Sequence, residues 1–108
     1  MCGIAGYFGE IPNSNNSLFE MINAINHRGP DNHGIWFDEN AGIGFAHSRL
    51  SIIDLSPAGH QPMHSVSNNL VMIFNGEIYN HNAIRSELEK ISNRNWHGHS
   101  DTETLLAA

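Results

Sequence analysis

Apolar residues fall along the chain in short runs whose spacing alternates between strand-like and helical. Residues 3–9 are small and apolar, with Ile4, Tyr7 and Phe8, which predicts a strand that buries the start of the chain. Leu18, Met21, Ile22 and Ile25 then share one face of a helix. Ser17-Leu18-Phe19-Glu20 has the spacing of a capping box, in which the Ser oxygen accepts from a free helix N–H and the Glu reaches back. His27-Arg28-Gly29-Pro30-Asp31 ends that helix, since Gly-Pro cannot continue it.

Two strand-like runs, 34–37 and 43–53, are parted by the turn-forming Glu39-Asn40-Ala41-Gly42 and predict a hairpin. Residues 54–63, rich in Pro, Gly and polar groups, predict a loop, and residues 69–74 a strand buried on both faces. A second helix begins near Asn80. Ile84, Leu88 and Ile91 recur there at helical spacing, Arg85 is placed to pair with Glu89 one turn on, and the polar stretch 92–98 closes the helix. Ser100-Asp101-Thr102-Glu103 is a second capping box and opens a third helix. No Gly, Pro or basic turn closes this helix before Ala108, so the chain is expected to be a fragment cut inside an element. There is no internal repeat, low-complexity linker or second domain within it.

Length and composition allow one core and hardly two, with 108 residues, 40% hydrophobic and 15% charged. Five Lys+Arg against eleven Asp+Glu leave a net charge of −6 with His neutral. That balance argues against nucleic acid or an anionic membrane as a partner and leaves basic partners or small polar substrates open. The longest purely apolar run, residues 70–74, is far below the roughly 20 residues that span a bilayer. No basic, greasy leader follows Met1, and a cytoplasmic protein is expected. The single cysteine, Cys2, excludes an internal disulfide framework and a metal site built on several thiolates. Among the eight His, His97-Gly98-His99 and His60 with His64 have tolerable metal spacing. No Cys or carboxylate partners converge on them by pattern, so no metal site is assigned.

Cys2 stands directly behind the initiator Met, and a residue as small as Cys permits Met removal. The mature chain would then begin with a thiol and an α-amine on one residue. A terminal α-amine has an ordinary pKa of about 7.7–8.0, so it is partly unprotonated near neutrality and can deprotonate the thiol beside it. One residue then supplies nucleophile and base. A small residue opening a strand, or a lipidated N-terminal Cys, fits the same position.

Other groups suit a zwitterionic amide. The Arg49 guanidinium offers a rigid fork that fits a carboxylate through two parallel bonds, though Arg49 also fits a solvated strand end. Asn75 and Gly76 can donate an amide N–H and a backbone N–H to a developing oxyanion, yet Asn-Gly is also the commonest short hairpin turn. Glu77 and Asp101 can receive an ammonium, or stand as an exposed strand charge and a helix-dipole partner.

Taken together, Cys2-Gly3-Ile4-Ala5-Gly6-Tyr7-Phe8, His27-Arg28-Gly29-Pro30-Asp31, His47-Ser48-Arg49-Leu50-Ser51-Ile52-Ile53-Asp54, Gly59-His60-Gln61-Pro62-Met63, Phe74-Asn75-Gly76-Glu77-Ile78-Tyr79-Asn80 and Ser100-Asp101-Thr102-Glu103 resemble the glutaminase domain of asparagine synthetases. These blocks stand in the family's order and cover essentially the whole chain. The resemblance implies a class II glutamine amidotransferase module of the N-terminal nucleophile hydrolase type, an α+β fold built as an α/β/β/α sandwich. Residues 1–108 would be about the first half of it, a truncated domain with the synthetase domain absent.

By this resemblance Cys2 attacks the side-chain amide of glutamine, giving a glutamyl thioester and ammonia, and water then releases glutamate. Arg49 would bind the α-carboxylate, Glu77 and Asp101 the α-ammonium, and Asn75 with Gly76 the oxyanion. Leu50 and Ile52 would form pocket wall. Ser48 departs from the family, where Arg often stands. Ammonia would pass to a synthetase domain that uses ATP and magnesium on a Ser-Gly-Gly-rich loop to make asparagine from aspartate. This chain has no such loop, so no cofactor is assigned to it. Two alternatives stay open: an amidotransferase with another acceptor such as a sugar carboxylate, and a catalytically silent fragment that self-associates. A homo-oligomer is left open as well.

Overall fold

The computed structural model describes residues 1–51 and 56–108. Three strands, β1 (Gly3–Phe8), β2 (Asn32–Asp38) and β3 (Ile43–Arg49), form an antiparallel sheet in the order β1-β3-β2. The register sets Gly3 opposite Ser48 on one side of β3 and Asn32 opposite Arg49 on the other. Helix α1 (Ser14–Ile25) carries the chain from one edge of β3 to the other. It buries Leu18 and Ile22 against Ala46, with Ala5, Tyr7, Met21 and Ile35 packed around them. Gly44 permits this packing, because a Cβ there would overlap the Tyr7 ring.

Strand alternation decides what the other face carries. With Ala46 turned toward α1, its neighbours His47 and, two residues on, Arg49 point to the opposite side of the sheet. Trp36 and Phe45 pack there as a tilted ring pair 5.6 Å apart. A short 3-10 turn (Pro57–Gly59) leads to β4 (Met63–His64), which pairs antiparallel with β5 (Val71–Met72) in a second, two-stranded sheet. The His64 ring meets Trp36 edge-on at 6.3 Å, so the second sheet reaches this same face. Helices α2 (His81–Ile91) and α3 (Asp101–Ala107) follow and pack on one another, and α3 also touches β4. The architecture is α+β, and no helix among the described residues is long and apolar enough to cross a membrane.

The predicted elements are present, with corrections. Helix α1 begins at Ser14 instead of Ser17, since the Asn13 backbone, at φ 51°, already accepts the Ser17 N–H at 3.0 Å. Ser17 therefore caps nothing and its hydroxyl donates to the Pro12 carbonyl. The 39–42 turn forms as expected: Asp38 Oδ1 accepts from Asn40 N and Ala41 N at 2.9 and 3.0 Å, and Gly42 takes φ 62°. Strand β3 ends at Arg49, short of the expected Ile53, which lies outside the described residues. The strand expected over 69–74 shrinks to Val71–Met72 and is half-buried with Leu70 exposed, because β4 is its one strand neighbour among the described residues.

On α2 the expected apolar face is incomplete, as Ile91 is exposed and Arg85 is the buried residue. The expected Arg85–Glu89 pair does not form. Glu89 accepts instead from Trp96 Nε1 at 2.7 Å, and Arg85 turns inward. The second capping box is half right: Ser100 Oγ accepts from Glu103 N at 3.2 Å, but the Glu103 carboxylate accepts from His97 N and Gly98 N at 2.7 and 3.0 Å.

Candidate active site

A cavity of about 410 Å³ opens on the sheet face opposite α1, between the ends of β1 and β3, the segment after β5 and the start of α3. Cys2, Arg49 and Leu50 line one side, Asn75, Gly76 and Glu77 a second, and Asp101 a third. Every candidate residue among the described ones is thus at one cavity, while Ile52 lies outside the described residues.

Local structure explains each placement. Gly3 pairs with Ser48, so Cys2 is carried just past the register, level with Arg49 and on its face of the sheet. The sulfur lies against the Leu50 peptide, accepting from its N–H at 3.3 Å and donating to its carbonyl at 3.5 Å. Arg49, nearly buried, donates through Nη1 to the Ser56 carbonyl at 2.9 Å. Ser48 faces the other way, toward α1, where its hydroxyl donates to the Gly29 carbonyl at 2.6 Å. Gly29 must be glycine, since a Cβ would collide with the Ser48 carbonyl.

Asn75 and Gly76 do not form the two-residue hairpin turn that local signals allow; they lead from β5 toward α2. A Cβ on Gly76 would stand 2.8 Å from the Phe74 ring, so the backbone at this point comes close to an aromatic wall. Asp101 is buried at the first turn of α3, and its Oδ2 accepts from Ile78 N at 2.8 Å. Glu77 is exposed at the cavity edge. The arrangement sets the Cys2 thiol, the Arg49 guanidinium, the Asn75 amide with its neighbouring backbone, and the Glu77 and Asp101 carboxylates around a volume that fits a small polar molecule. Among the described residues no group of three or more His, Cys, Asp or Glu is placed to hold a metal ion.

Residues 1–108 match the family model of the glutamine amidotransferase domain. The chain belongs to that family. It is 42% identical over 99% of its length to asparagine synthetase (glutamine-hydrolyzing) 1 of Bacillus subtilis and covers 17% of that protein. It is 38% identical, again over 99% of its length, to asparagine synthetase B (glutamine-hydrolyzing) of Escherichia coli, covering 19%. Amidase chry2 of Gibberella zeae is 34% identical over 99% of the chain, which covers 17% of it. The chain thus spans less than a quarter of the length of each of these relatives. No solved structure matches it.

Three buried polar side chains of this amidotransferase domain escaped the sequence reading. His47 is 1% exposed in the cavity wall, and burial, the nearby His60 and Arg49 push its pKa down from 6.5 to about 4, against a backbone hydrogen bond at Phe74 that acts the other way. It is therefore neutral near pH 7. Gln61 bridges the Phe74 backbone and Thr102. Arg85 donates to Thr104 Oγ1, the Gly98 carbonyl and the Ser100 carbonyl at 2.7, 2.8 and 2.9 Å, with the Trp96 ring 4.1 Å from its guanidinium carbon. The block containing Gln61 was visible in sequence without a role attached. For Arg85 the signal was its position beside Ile84 and Leu88, within reach of the buried side of the helix.

Proposed function

We propose that this domain is a glutaminase that uses Cys2 as nucleophile, with ammonia as the transferred product. The observation that carries the reading is the convergence of Cys2, Arg49, Asn75-Gly76 and Asp101 on one cavity of about 410 Å³. In this reading Arg49 takes the α-carboxylate of glutamine through paired charge-assisted bonds, and Asp101 with Glu77 takes the α-ammonium. Leu50 and Ile52 form pocket wall. The bound side-chain amide then lies before the sulfur.

Removal of Met1, which is exposed, frees the Cys2 α-amine. That amine takes the thiol proton as sulfur attacks the amide carbon, and the oxyanion receives hydrogen bonds from Asn75 and the Gly76 N–H. The α-ammonium returns its proton to the departing nitrogen, the C–N bond breaks, and ammonia leaves a glutamyl thioester on Cys2. Water, deprotonated by the same amine, opens the thioester and releases glutamate. Neutral His47 in the cavity wall adds no charge that would compete with Arg49 for the carboxylate.

The edge-on contact between His64 of the second sheet and Trp36 of the first supports reading the two sheets as the inner layers of an α/β/β/α sandwich of the N-terminal nucleophile type. In the whole protein we place this domain ahead of a synthetase domain that uses ATP and magnesium, with asparagine as the product and the cytoplasm as the compartment. The asparagine synthetase relatives favour aspartate as the acceptor. The reading is tested at full length with Cys2→Ala, which is expected to abolish release of glutamate from glutamine; hydrolysis at the wild-type rate would overturn it.

A further inference from the structure

The parts of the cavity sit on separate elements, and the segment carrying Asn75 and Gly76 has no helix or strand of its own to hold it. Its two ends are instead pinned by side-chain acceptors. At one end the Phe74 N–H donates to Gln61 Oε1 at 2.6 Å, and at the other the Ile78 N–H donates to Asp101 Oδ2 at 2.8 Å. Asn75 and Gly76 hang between these two anchors.

Gln61 does more than close one end. Its amide nitrogen donates to Thr102 Oγ1 at 3.3 Å, the residue directly after Asp101. Gln61 and Thr102 are 6% and 4% exposed and both line the cavity, so water cannot readily substitute for either bond. The backbone of Gln61 also lies close against β2, since a Cβ on Gly34 would collide with its carbonyl. One buried amide, seated on the strand β2, therefore spans the oxyanion segment and the start of α3.

We infer that Gln61 is a positioning residue that keeps Asn75-Gly76 and Asp101 in register with each other through its two hydrogen bonds. The inference rests on the assignment of those residues under Proposed function. Losing the bond to Phe74 lets the oxyanion donors drift and slows the chemical step. Losing the bond to Thr102 frees Asp101 and weakens substrate binding, and it moves the donors less, because the Phe74 anchor on Gln61 stays in place. An Asn75-Gly76 segment held only by local sequence would respond to neither change.

The test compares Gln61→Met, which keeps the length and removes both bonds, with Thr102→Val, which keeps the shape and removes one. Both are made in the full-length protein, and competent sites are counted by labelling Cys2 with an electrophilic glutamine analogue that needs the assembled cavity to react, so that unfolded molecules drop out of the rate constants. Per titrated site, Gln61→Met is expected to lower kcat about tenfold or more and to raise KM several-fold. Thr102→Val is expected to raise KM roughly three- to tenfold with kcat within about twofold of wild type. If both variants match wild type in kcat and KM per site, having lost only the number of sites, Gln61 is structural and the inference fails. If Gln61→Met does not fold, Thr102→Val decides alone, since an unchanged KM contradicts the inference. Hydrolysis that survives Cys2→Ala would bring down the site assignment and this inference together. A silent Cys2→Ala beside unaffected Gln61 and Thr102 variants would bring down the inference alone.

Discussion

Arg85 on α2 donates to the Ser100 carbonyl at 2.9 Å, one residue before Asp101. The same guanidinium reaches Gly98, Thr104 and, at 3.4 Å, the Glu103 carboxylate, which in turn accepts from two backbone N–H groups of the preceding loop. A single side chain thus seats the first turn of α3 against α2. Truncating it would leave buried acceptors and a carboxylate without their partner. Arg85→Ala is expected to cost about 3–5 kcal/mol of stability, read as a fall in the urea midpoint, with Arg85→Lys falling between it and wild type because an ammonium cannot reproduce the fork. Equal midpoints for Arg85→Ala and wild type would contradict this.

His47 makes stability depend on pH. Its ordinary pKa is 6.5 and its folded value is about 4, so between these values the unfolded chain binds a proton that the native state does not. Stability is therefore fully present above about pH 6.5 and declines as pH falls toward 4, by a total on the order of 3 kcal/mol from this group. Carboxylates titrate in the same range, so the measurement is the difference between wild type and His47→Gln. The variant is expected to lose less stability on acidification, and parallel curves would contradict the account.

In the proposed mechanism Asn75→Ala removes one oxyanion donor while leaving the Gly76 N–H. A kcat lower by about 10²–10³ with a nearly unchanged KM for glutamine is expected, measured as glutamate release. A rise in KM alone would place Asn75 in substrate binding instead.

Asp101→Asn separates charge from scaffold, since the amide oxygen still accepts from Ile78 N while the proposed ammonium partner is lost. KM for glutamine is expected to rise about tenfold or more. A glutamine analogue without the α-amine should lose its disadvantage against glutamine in this variant. If the variant discriminates between the two as well as wild type does, Asp101 is not the ammonium ligand.

The parts of this molecule that were legible in sequence are those specified locally. The 39–42 turn, the apolar face of α1 and the Ser100 cap each depend on residues within a few positions of one another, and all three are in place. The start of α1 was not legible, because the first helical bond is accepted by the backbone of Asn13 in a left-handed conformation, which no side-chain spacing announces. Arg85 read as the partner of Glu89, because the carbonyls that draw it inward lie 13 and 15 residues away. Gln61 is a similar case: its partners Phe74 and Thr102 are 13 and 41 residues distant, and only the fold brings them within reach. The candidate site was legible residue by residue, from a thiol next to the initiator Met and from motif resemblance. Its shared cavity was not, since that depends on the fold bringing the end of β3, the segment after β5 and the start of α3 to one opening.

The central claim is that sulfur at position 2 carries the acyl group. The most direct measurement is a rapid acid quench of the full-length protein during turnover of glutamine, followed by mass mapping of the N-terminal peptide. The account predicts a peptide that begins at Cys2 with a free α-amine and carries a glutamyl group in thioester linkage on that sulfur. A glutamyl group on any other residue, or steady turnover on chains that all retain Met1, would contradict it.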